Sequence, residues 1–325
     1  MDYKARHLES RLKETAQHFK VVLVLGARQV GKSTLLHHFF PAARVVLFDP
    51  LQDLYNARSD PDLFLNNFPS PLILDEVQYV PELLPALKRR VDANEEKGQY
   101  FLTGSQNLSM LKTVAESMAG RVGILPLEGF TPEEMLGLGE KKGWLSLYLS
   151  DPTSLLSSVS GVYKEFSNLA HFLWRGTYPG VLTIPDSGLA TYFRSYLQTY
   201  VDRDVRTMEN IKELADFNRF LNLVAALSGQ EINTSHLGRE IGIAPGTARR
   251  WLDLLTYSYQ WLEIFPYHGN TIKRISGKRK GYFRDTGLIC YLQRISSSEG
   301  VAASPHLGAL FESWVVNYIH RQFVH

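Results

Sequence analysis

The strongest constraint on the fold is the segment GARQVGKST, Gly26–Thr34, which directly follows the apolar run Val21–Leu25. A buried strand that ends in the pattern G-x-x-x-x-G-K-[ST] predicts a loop whose backbone N–H groups surround phosphates. Gly26 and Gly31 permit backbone angles that other residues resist. The helix that begins near Lys32 adds its positive N-terminal end. The segment therefore predicts a nucleotide-binding loop after the first strand.

Individual positions of this loop have separate predicted tasks. Lys32 is expected to reach the β- and γ-phosphates, and the Ser33 hydroxyl is expected to bind Mg²⁺. An ordinary strand-to-helix turn would not require a lysine and a hydroxyl in this register, so we expect ATP and Mg²⁺ as ligands. The predicted nucleotide contacts are Gly26, Ala27, Arg28, Gln29, Val30, Gly31, Lys32, Ser33 and Thr34.

A second apolar run, Pro71–Leu74, ends in the two carboxylates Asp75 and Glu76. Its near-continuous hydrophobicity is typical of a central parallel strand. Asp75 is expected to hold Mg²⁺ together with Ser33. Glu76 can polarise a water for attack on the γ-phosphate. A solvated turn would explain an isolated Asp-Glu pair, but the upstream loop favours ATP hydrolysis over nucleotide storage.

Five short apolar segments are predicted as strands, and the segments between them are long enough for helices. The strands are Val21–Leu25, Arg44–Phe48, Leu72–Leu74, Tyr100–Thr103 and Val122–Leu125. This alternation predicts an α/β fold with a central parallel sheet and helices on both faces. A phosphate loop on the first strand and an Asp-Glu pair on the third indicate a P-loop NTPase of the additional-strand class.

Two further residues are predicted to act on the γ-phosphate. Ser105, after the fourth strand, is the preferred phosphate sensor and Asn107 the second choice, although a Gly-Ser turn explains the segment equally well. Arg121, before the fifth strand, is predicted to reach into the ATP site of a neighbouring subunit. Such an arginine finger is worth about 10³–10⁵ in rate in well-studied NTPases. A surface salt bridge is the alternative, and no sequence feature proves a ring.

Composition restricts the remaining function classes. A chain of 325 residues predicts two or three domains, and its formal net charge of +2 does not by itself imply nucleic acid. The single cysteine, Cys290, excludes an intrachain disulfide and fits a reducing compartment. No apolar signal region and no apolar run of about eighteen residues is present, so we expect a cytoplasmic protein that does not span a membrane.

Residues after the sheet are predicted to form a helical lid and a winged helix. The expected domains are an ATPase core at 1–135, a linker at 136–160, the lid at 161–225, the winged helix at 226–292, and a linker with a C-terminal helix at 293–325. The aromatic stripe along Tyr192–Tyr200 is more typical of core packing in the lid than of base stacking. The charged segment Asp202–Arg206 fits either a subunit contact or salt bridges within the lid.

The segment Thr234–Leu252 has the pattern of a helix-turn-helix. Ser235 is expected to cap its first helix, Gly242 to supply the turn, and Pro245 to begin the second helix. Residues 273–284 follow with six basic residues of twelve and no acid, which predicts a Gly-centred hairpin as the wing.

Basic residues are in excess in this region, since residues 226–290 contain nine Lys and Arg but only five Asp and Glu. Phosphate contacts by these side chains would explain the excess, so DNA is the expected partner. A purely structural winged helix with a solvated basic face is the alternative. The predicted DNA contacts are Thr247, Arg249, Arg250, Lys273, Arg274, Lys278, Arg279 and Lys280.

Linked motifs along nearly the whole chain carry a family resemblance. The segments GARQVGKST, LDEVQYVP, FLTGSQN, AGRVGILPLEGFTPEE, RGTYPG, YLQTYVDRDVR and GYFRDTGL occur in this order. The chain resembles the prokaryotic AAA+-type ATPases that carry a C-terminal domain of unknown function. The resemblance implies ATP at Gly26–Thr34, Mg²⁺ at Ser33 and Asp75, and catalysis by Glu76. It also implies a lid contact near the nucleotide base through Tyr178 and Pro179.

Members of that family usually continue into a restriction-endonuclease-like domain. Its first helix is similar to residues 307–314, with Glu312 as the first acidic residue. The acidic strands that would complete a metal-dependent nuclease site are absent from this sequence, so nuclease activity is not expected.

Three functions are compatible with these features. The leading hypothesis is an ATPase that couples hydrolysis to DNA binding or remodelling. A homo-oligomeric ring is compatible with it, but the sequence does not decide whether a ring forms. The alternative is a STAND-like nucleotide-dependent switch that scaffolds a protein partner and turns over slowly. A small-molecule phosphotransferase is disfavoured, because Glu76 activates water and the sequence shows no substrate-pocket signature.

Overall fold

The computed structural model describes residues 3–49, 55–105, 114, 118–141, 143–153, 168–201, 205 and 214–324. The chain divides into two compact units. The first is built from Met1–Glu128 and Leu136–Glu140, and the second from Gly129–Met135 and Lys141–Val324.

A parallel sheet forms the centre of the first unit. Its strands are β1 (Val21–Leu25), β2 (Arg44–Leu47), β3 (Leu72–Asp75), β4 (Tyr100–Gly104) and β5 (Val122–Pro126). The strand order is β2-β3-β4-β1-β5 and every neighbouring pair is parallel. The residues of β1, β3 and β4 are buried throughout, as near-continuous apolar runs covered on both faces should be. The predicted central parallel sheet is therefore confirmed, with β4 placed between β1 and β3.

The first unit also contains helices. They are α1 (Glu9–His18), α2 (Lys32–Phe39), α3 (Tyr55–Ser59), α4 (Pro61–Asn67) and α5 (Leu83–Asp92). Helix α1 packs against β1 and β5, and α2 packs against β3 and β4. In α5 the residues Leu83, Leu84, Leu87 and Val91 are buried, which is the spacing of one apolar helix face. A short 3₁₀ turn, Val77–Tyr79, follows β3 directly.

The second unit is mainly helical. Its helices are α6 (Pro132–Met135), α7 (Trp144–Ser150), α8 (Leu169–Arg175), α9 (Leu189–Tyr200), α10 (Leu214–Ala226), α11 (Thr234–Ile241), α12 (Pro245–Tyr257), α13 (Thr271–Ser276), α14 (Thr286–Leu292), α15 (Ser298–Ala303) and α16 (Leu307–Val324). Two antiparallel strands, β6 (Trp261–Ile264) and β7 (Lys280–Phe283), complete it. One compact unit thus contains the regions predicted as lid, winged helix and C-terminal helix.

Buried polar contacts tie the C-terminal helix α16 into this unit. The Asp285 carboxylate accepts hydrogen bonds from the Thr177 backbone N–H at 2.6 Å and from its hydroxyl at 2.8 Å. The buried Arg321 guanidinium donates to Thr177 Oγ1 at 3.1 Å and to the carbonyl oxygens of Phe130 and Arg284 at 2.8 and 2.9 Å. Buried charges are stable only when partnered in this way, so α16 is an integral part of the core.

The two helices of the predicted helix-turn-helix are present as α11 and α12. Gly242 ends α11 with φ of 85°, and Pro245 occupies the first turn of α12. The predicted cap was wrong: the Asn233 side chain accepts the His236 N–H at 3.0 Å, and Ser235 lies inside the first turn of α11. Asn233 can cap because its own backbone is extended, as a capping residue requires.

The predicted Gly-centred hairpin over 273–284 was also wrong in part. Thr271–Ser276 is a helix, α13, which lies in the connection between β6 and β7. Helix α13 starts there because the Asn270 side chain accepts hydrogen bonds from the N–H groups of Ile272 and Lys273. The antiparallel pair that the prediction required is formed by β7 with β6 instead.

The aromatic stripe of α9 belongs to the core, as its pattern indicated. Phe193, Tyr196 and Tyr200 are buried, and the Tyr200 hydroxyl lies 2.8 Å from that of Ser258. Cys290 is buried as well, and burial raises the pKa of its thiol to about 12. Among the helices that the structure describes, none is long and apolar enough to cross a membrane.

Asn233→Ala should lower the free energy of unfolding by about 1 kcal/mol, because the His236 N–H at the start of α11 loses its acceptor. Chemical denaturation followed by circular dichroism measures this change. Ser235→Ala is the matched control and should stay within about 0.5 kcal/mol of the parent chain. The reverse order of the two effects would contradict the assigned cap.

Candidate nucleotide site

The predicted phosphate loop leaves the carboxyl end of β1 and enters α2. Hydrogen bonds fix the chain at Gly26 between its two neighbouring strands. The Gly26 N–H donates to the Gly104 carbonyl at 3.3 Å, and the Leu127 N–H donates to the carbonyl of the preceding residue, Leu25, at 2.7 Å. A Cβ on Gly26 would lie 1.9 Å from the Leu127 carbonyl oxygen. Only glycine therefore fits at this position.

Two further residues of the loop adopt left-handed backbone angles. Gly31 has φ of 94° and immediately precedes α2, as its sequence pattern predicted. Gln29 has φ of 62° although it is not a glycine, and sequence reasoning did not single out its backbone. Such angles are uncommon for non-glycine residues and cluster at functional sites.

Positive charge is concentrated inside and beside the loop. The Lys32 side chain is buried, and its Nζ donates to the carbonyl oxygens of Gly26 and Ala27 at 3.0 and 2.9 Å. Arg28 donates to the Tyr79 hydroxyl at 2.7 Å. Because α2 also directs its N-terminal N–H groups toward this loop, the arrangement fits a phosphate group.

Asp75 stands at the carboxyl end of β3 as the expected metal ligand. Its Oδ1 accepts a hydrogen bond from Ser33 Oγ at 2.8 Å and a second one from the Thr103 hydroxyl. These oxygen donors suit Mg²⁺. Within the described residues, no group of three His, Cys, Asp or Glu side chains could hold a metal alone. An ion bound by Ser33 and Asp75 would therefore also need phosphate and water oxygens, which is how Mg²⁺ is usually held.

Glu76 turns out of β3 with φ of 59°, a left-handed angle. Its backbone N–H donates to Thr103 Oγ1 at 2.9 Å. Burial acts to raise the pKa of Glu76, but the Lys32 ammonium, the Gln78 amide and Arg28 together lower it below its ordinary value. The carboxylate is therefore charged at neutral pH and able to accept a proton.

Ser105 is buried at the end of β4, and Gln78 connects it to Glu76. Gln78 Nε2 donates to Glu76 Oε2 at 2.5 Å and to Ser105 Oγ at 3.0 Å. The structure thus brings the predicted base and the predicted sensor to one amide. Asn107, the second choice of sensor, lies outside the described residues.

Sequence reasoning missed Gln78 and Thr103 as parts of this site. Gln78 had a signal in the sequence, because it is a polar residue between the apolar Val77 and the aromatic Tyr79. Thr103 was assigned only as a strand residue. Its hydroxyl contacts both carboxylate-bearing residues at the end of β3, since β3 and β4 are parallel neighbours.

Arg6 is a third residue that the sequence did not reveal. Its guanidinium donates to the Val30 carbonyl of the phosphate loop at 2.9 Å and to the Glu128 carbonyl at 2.6 Å. The side chain is almost completely buried. The segment before α1 therefore stabilises the phosphate loop through the Arg6 side chain.

Arg121, the predicted finger, lies at the opposite edge of the sheet from the phosphate loop. It precedes β5, whose first residue Val122 pairs with Val21 at the start of β1. Its guanidinium forms an ion pair with Asp92 and donates to the Ala119 carbonyl at 2.9 Å. The surface salt bridge is thus present within the chain, and action on a neighbouring subunit stays a prediction.

Tyr178 and Pro179, predicted to contact the nucleotide base, lie in the second unit. The Tyr178 hydroxyl bonds to that of Tyr196 at 2.7 Å and to Gln260 Oε1 at 3.3 Å. The side chain is buried, and burial raises the pKa of Tyr178 well above its ordinary value. Pro179 begins a 3₁₀ turn. The ring of Tyr178 is therefore part of a packed core, and its contact with a base stays a prediction.

Arg249, which was predicted to face outward toward DNA, takes part in ion pairs of the second unit and keeps 36 % of its side chain exposed. Its guanidinium donates to Asp253 and to Glu263, each with a bond of 2.6 Å. Arg279 donates to the second oxygen of Glu263 at 3.0 Å and stacks 4.0 Å above the Phe265 ring. The Glu263 side chain is only 6 % exposed. Through Arg249 and Glu263 this pairing fastens α12 to β6, and the DNA contacts of Arg249 and Arg279 stay predictions.

The other residues predicted to contact DNA differ in their exposure and in the side chains with which they pair. Lys280 pairs with Glu312 at 2.9 Å, and the exposed Lys278 pairs loosely with Glu231 at 3.5 Å. Arg250 donates to Thr247 Oγ1 at 3.3 Å within α12. Lys273 and Arg274 are exposed on α13. Tyr267, in the same connection between β6 and β7, is 96 % exposed.

Two family models match separate parts of the chain. Residues 18–136 match the AAA domain, and residues 167–299 match a domain of unknown function, DUF8612. The first match covers the sheet and the phosphate loop. The second covers much of the helical unit, including α11, α12 and the strands β6 and β7.

Known proteins similar to this chain include two mycobacterial relatives. Uncharacterized proteins of Mycobacterium bovis and Mycobacterium tuberculosis are each 28 % identical over 315 residues, which cover 97 % of this chain. The chain spans 65 % of the length of either relative.

Solved structures give more distant similarities. A Walker-type ATPase of Pyrococcus abyssi aligns over 90 % of this chain and 96 % of its own, with 16 % identity and a TM-score of 0.49. The RuvB Holliday junction branch migration motor of Thermotoga maritima aligns over 80 % and 90 %, with 14 % identity and a TM-score of 0.36.

Gly26→Ala should abolish nucleotide binding, because the added methyl would overlap the Leu127 carbonyl and displace the phosphate loop. Titration with a fluorescent ATP analogue measures the loss, which we expect to exceed about tenfold in Kd, equivalent to about 1.4 kcal/mol. Gly246→Ala, where a Cβ has open space, is the control and should bind as the parent chain does. Normal binding by Gly26→Ala would mean that the loop is not the nucleotide site.

Proposed function

We propose that this chain hydrolyses ATP with the help of Mg²⁺. The observation that carries the proposal is the Ser33 hydroxyl on the Asp75 carboxylate at 2.8 Å, with the ionised Glu76 as the next residue. A phosphate loop alone would serve storage as well as turnover. A second carboxylate beside the metal ligands supplies the base that hydrolysis requires.

The residues of the site divide the work by position. Lys32 and the loop N–H groups bind the β- and γ-phosphates, while Ser33 and Asp75 hold the metal. Bound Mg²⁺ supplies positive charge that offsets the charge developing on the phosphate oxygens. Glu76 accepts the proton of the attacking water, and Ser105 supplies a hydroxyl beside it. Arg121 acts only if chains assemble so that one chain presents it to the site of another.

Glu76→Gln should retain ATP binding and lose hydrolysis by about 10²–10⁴-fold, because an amide cannot accept the proton. Phosphate release and fluorescent-nucleotide binding measure the two properties separately. Glu95→Gln, which changes an exposed surface carboxylate, is the matched control and should hydrolyse normally. Near-normal hydrolysis by Glu76→Gln would refute the assigned base. Tight ATP retention with negligible turnover in the unaltered chain would favour the STAND-like switch instead.

We also propose that the second unit binds DNA and that binding stimulates hydrolysis. Support comes from the connection between β6 and β7, which exposes Lys273, Arg274 and the aromatic ring of Tyr267. Cationic side chains bind phosphates, and an exposed aromatic ring can stack on a base. Helices α11 and α12 with the strands β6 and β7 fit a winged helix, in which this connection is the wing.

Replacing Lys273 and Arg274 together with Ala should weaken DNA binding and flatten its dependence on salt. For every duplex phosphate that the variant no longer neutralises, the slope of log K against log[salt] should fall by about 0.9. Fluorescence anisotropy with labelled duplex and single-stranded DNA at several salt concentrations measures this slope.

The double variant Arg249→Ala and Arg279→Ala is the contrasting control. It should lower thermal stability more than it changes the salt slope, because both cations pair with the buried Glu263. Unchanged binding by the Lys273 and Arg274 variant would place the DNA contact elsewhere or remove it.

A further inference from the structure

The side-chain amide of Gln78 donates two hydrogen bonds through Nε2, whereas its oxygen Oε1 accepts none from the described residues. Both hydrogens of Nε2 are used, one toward Glu76 Oε2 at 2.5 Å and one toward Ser105 Oγ at 3.0 Å. The carbonyl oxygen Oε1 is buried, and among the residues that the structure describes it has no hydrogen-bond partner. A buried acceptor left unpaired destabilises the folded state. Such a group requires an explanation.

Rotating the amide by 180° does not remove the problem. The ionised Glu76 carboxylate can only accept hydrogen bonds, so a rotated amide would place two acceptor oxygens against each other. The orientation of Gln78 is therefore imposed by Glu76, and Oε1 remains an unused acceptor beside the carboxylate.

Distances allow one water to use this acceptor and Glu76 together. Carboxamide oxygen and nitrogen atoms lie about 2.2 Å apart by standard bond geometry. Since Nε2 is 2.5 Å from Glu76 Oε2, Oε1 is at most about 4.7 Å from that carboxylate oxygen. A single water can donate to two oxygens with this separation, because each O–H···O bond spans about 2.7 Å.

We propose that Gln78 is the positioning residue for the attacking water, a role that rests on the ATP hydrolysis proposed above. Gln78 Oε1 accepts one hydrogen of the water and Glu76 accepts the other. The water oxygen forms a bond to the γ-phosphorus while the bond from that phosphorus to the β,γ-bridging oxygen breaks. The electron pair of the broken bond leaves with ADP. The proton passes to Glu76 and then to the phosphate product.

Ser105 gains a role through the same amide. Because one N–H of Gln78 is bound to Ser105 Oγ, movement of this hydroxyl toward a phosphate would pull on the amide that also holds Glu76. Gln78 thereby couples the predicted sensor at the end of β4 to the base at the end of β3.

Gln78→Met tests the proposal, because it keeps the length of the side chain and removes the amide. The matched control is Gln99→Met. Gln99 is a buried amide in the same unit, whereas Gln78 is half-buried, and Gln99 precedes β4 at the opposite edge of the sheet from Glu76. Its Nε2 donates to the Glu96 carbonyl at 2.7 Å. Gln99→Met should therefore reproduce the stability cost without the effect on turnover.

We expect Gln78→Met to lower kcat by about 10²-fold and to change the Kd for ATP by less than about threefold. A second readout does not depend on turnover. The complex of ADP with aluminium fluoride mimics the in-line attack, whereas ADP with beryllium fluoride mimics bound ATP. Affinity for the aluminium fluoride complex should fall at least tenfold more than affinity for the beryllium fluoride complex.

Several outcomes would overturn the role of Gln78. They are an unchanged kcat, equal losses in Gln99→Met, and equal losses of affinity for the two fluoride complexes. If Gln78→Met does not fold, Gln78→Ala is measured in the same way with the same criteria. Glu76→Gln separates the two proposals. Loss of hydrolysis in Glu76→Gln with normal hydrolysis in Gln78→Met rejects only the positioning role, and normal hydrolysis in both rejects the proposed function.

Discussion

The candidate site depends on the hydrogen bonds that the Asp75 carboxylate accepts. This carboxylate accepts hydrogen bonds from Ser33 at the start of α2 and from Thr103 on β4. Thr103 in turn accepts the backbone N–H of Glu76. Three elements that are distant in sequence are thus fixed to each other at one edge of the sheet. The parallel pairing of β3 with β4 makes this contact possible, because parallel strands end at the same edge.

Buried acids have a comparable role in the second unit. Glu263 binds the guanidinium groups of Arg249 and Arg279, and through Arg249 it fastens α12 to β6. Asp285 accepts the Thr177 N–H and hydroxyl and caps α14. Cations in such pairs contribute to the fold, and removing either partner leaves a buried charge uncompensated. A count of basic residues therefore overstates the charge that a partner can meet.

Much of the fold and part of the site could be predicted from local patterns. The five strands of the sheet were found within one residue of their observed bounds, since each depends on a short apolar run. The contributions of Gln78, Thr103 and Arg6 could not be found in this way. Their contacts span 24 residues or more in several cases, and no local pattern specifies which distant group a polar side chain meets.

Sequence by itself determined the parallel sheet of the first unit and predicted the chemistry of its loop. Apolar periodicity decides which segments become buried strands, and only certain residues suit a phosphate loop. Tertiary structure decided which polar and charged side chains pair with one another within the chain. It joined Gln78 to Glu76 and Ser105, it paired Arg121 with Asp92, and it placed Arg249 against Glu263. The physical reason is that hydrogen bonds and ion pairs act over a few ångströms in space, whatever the distance along the chain.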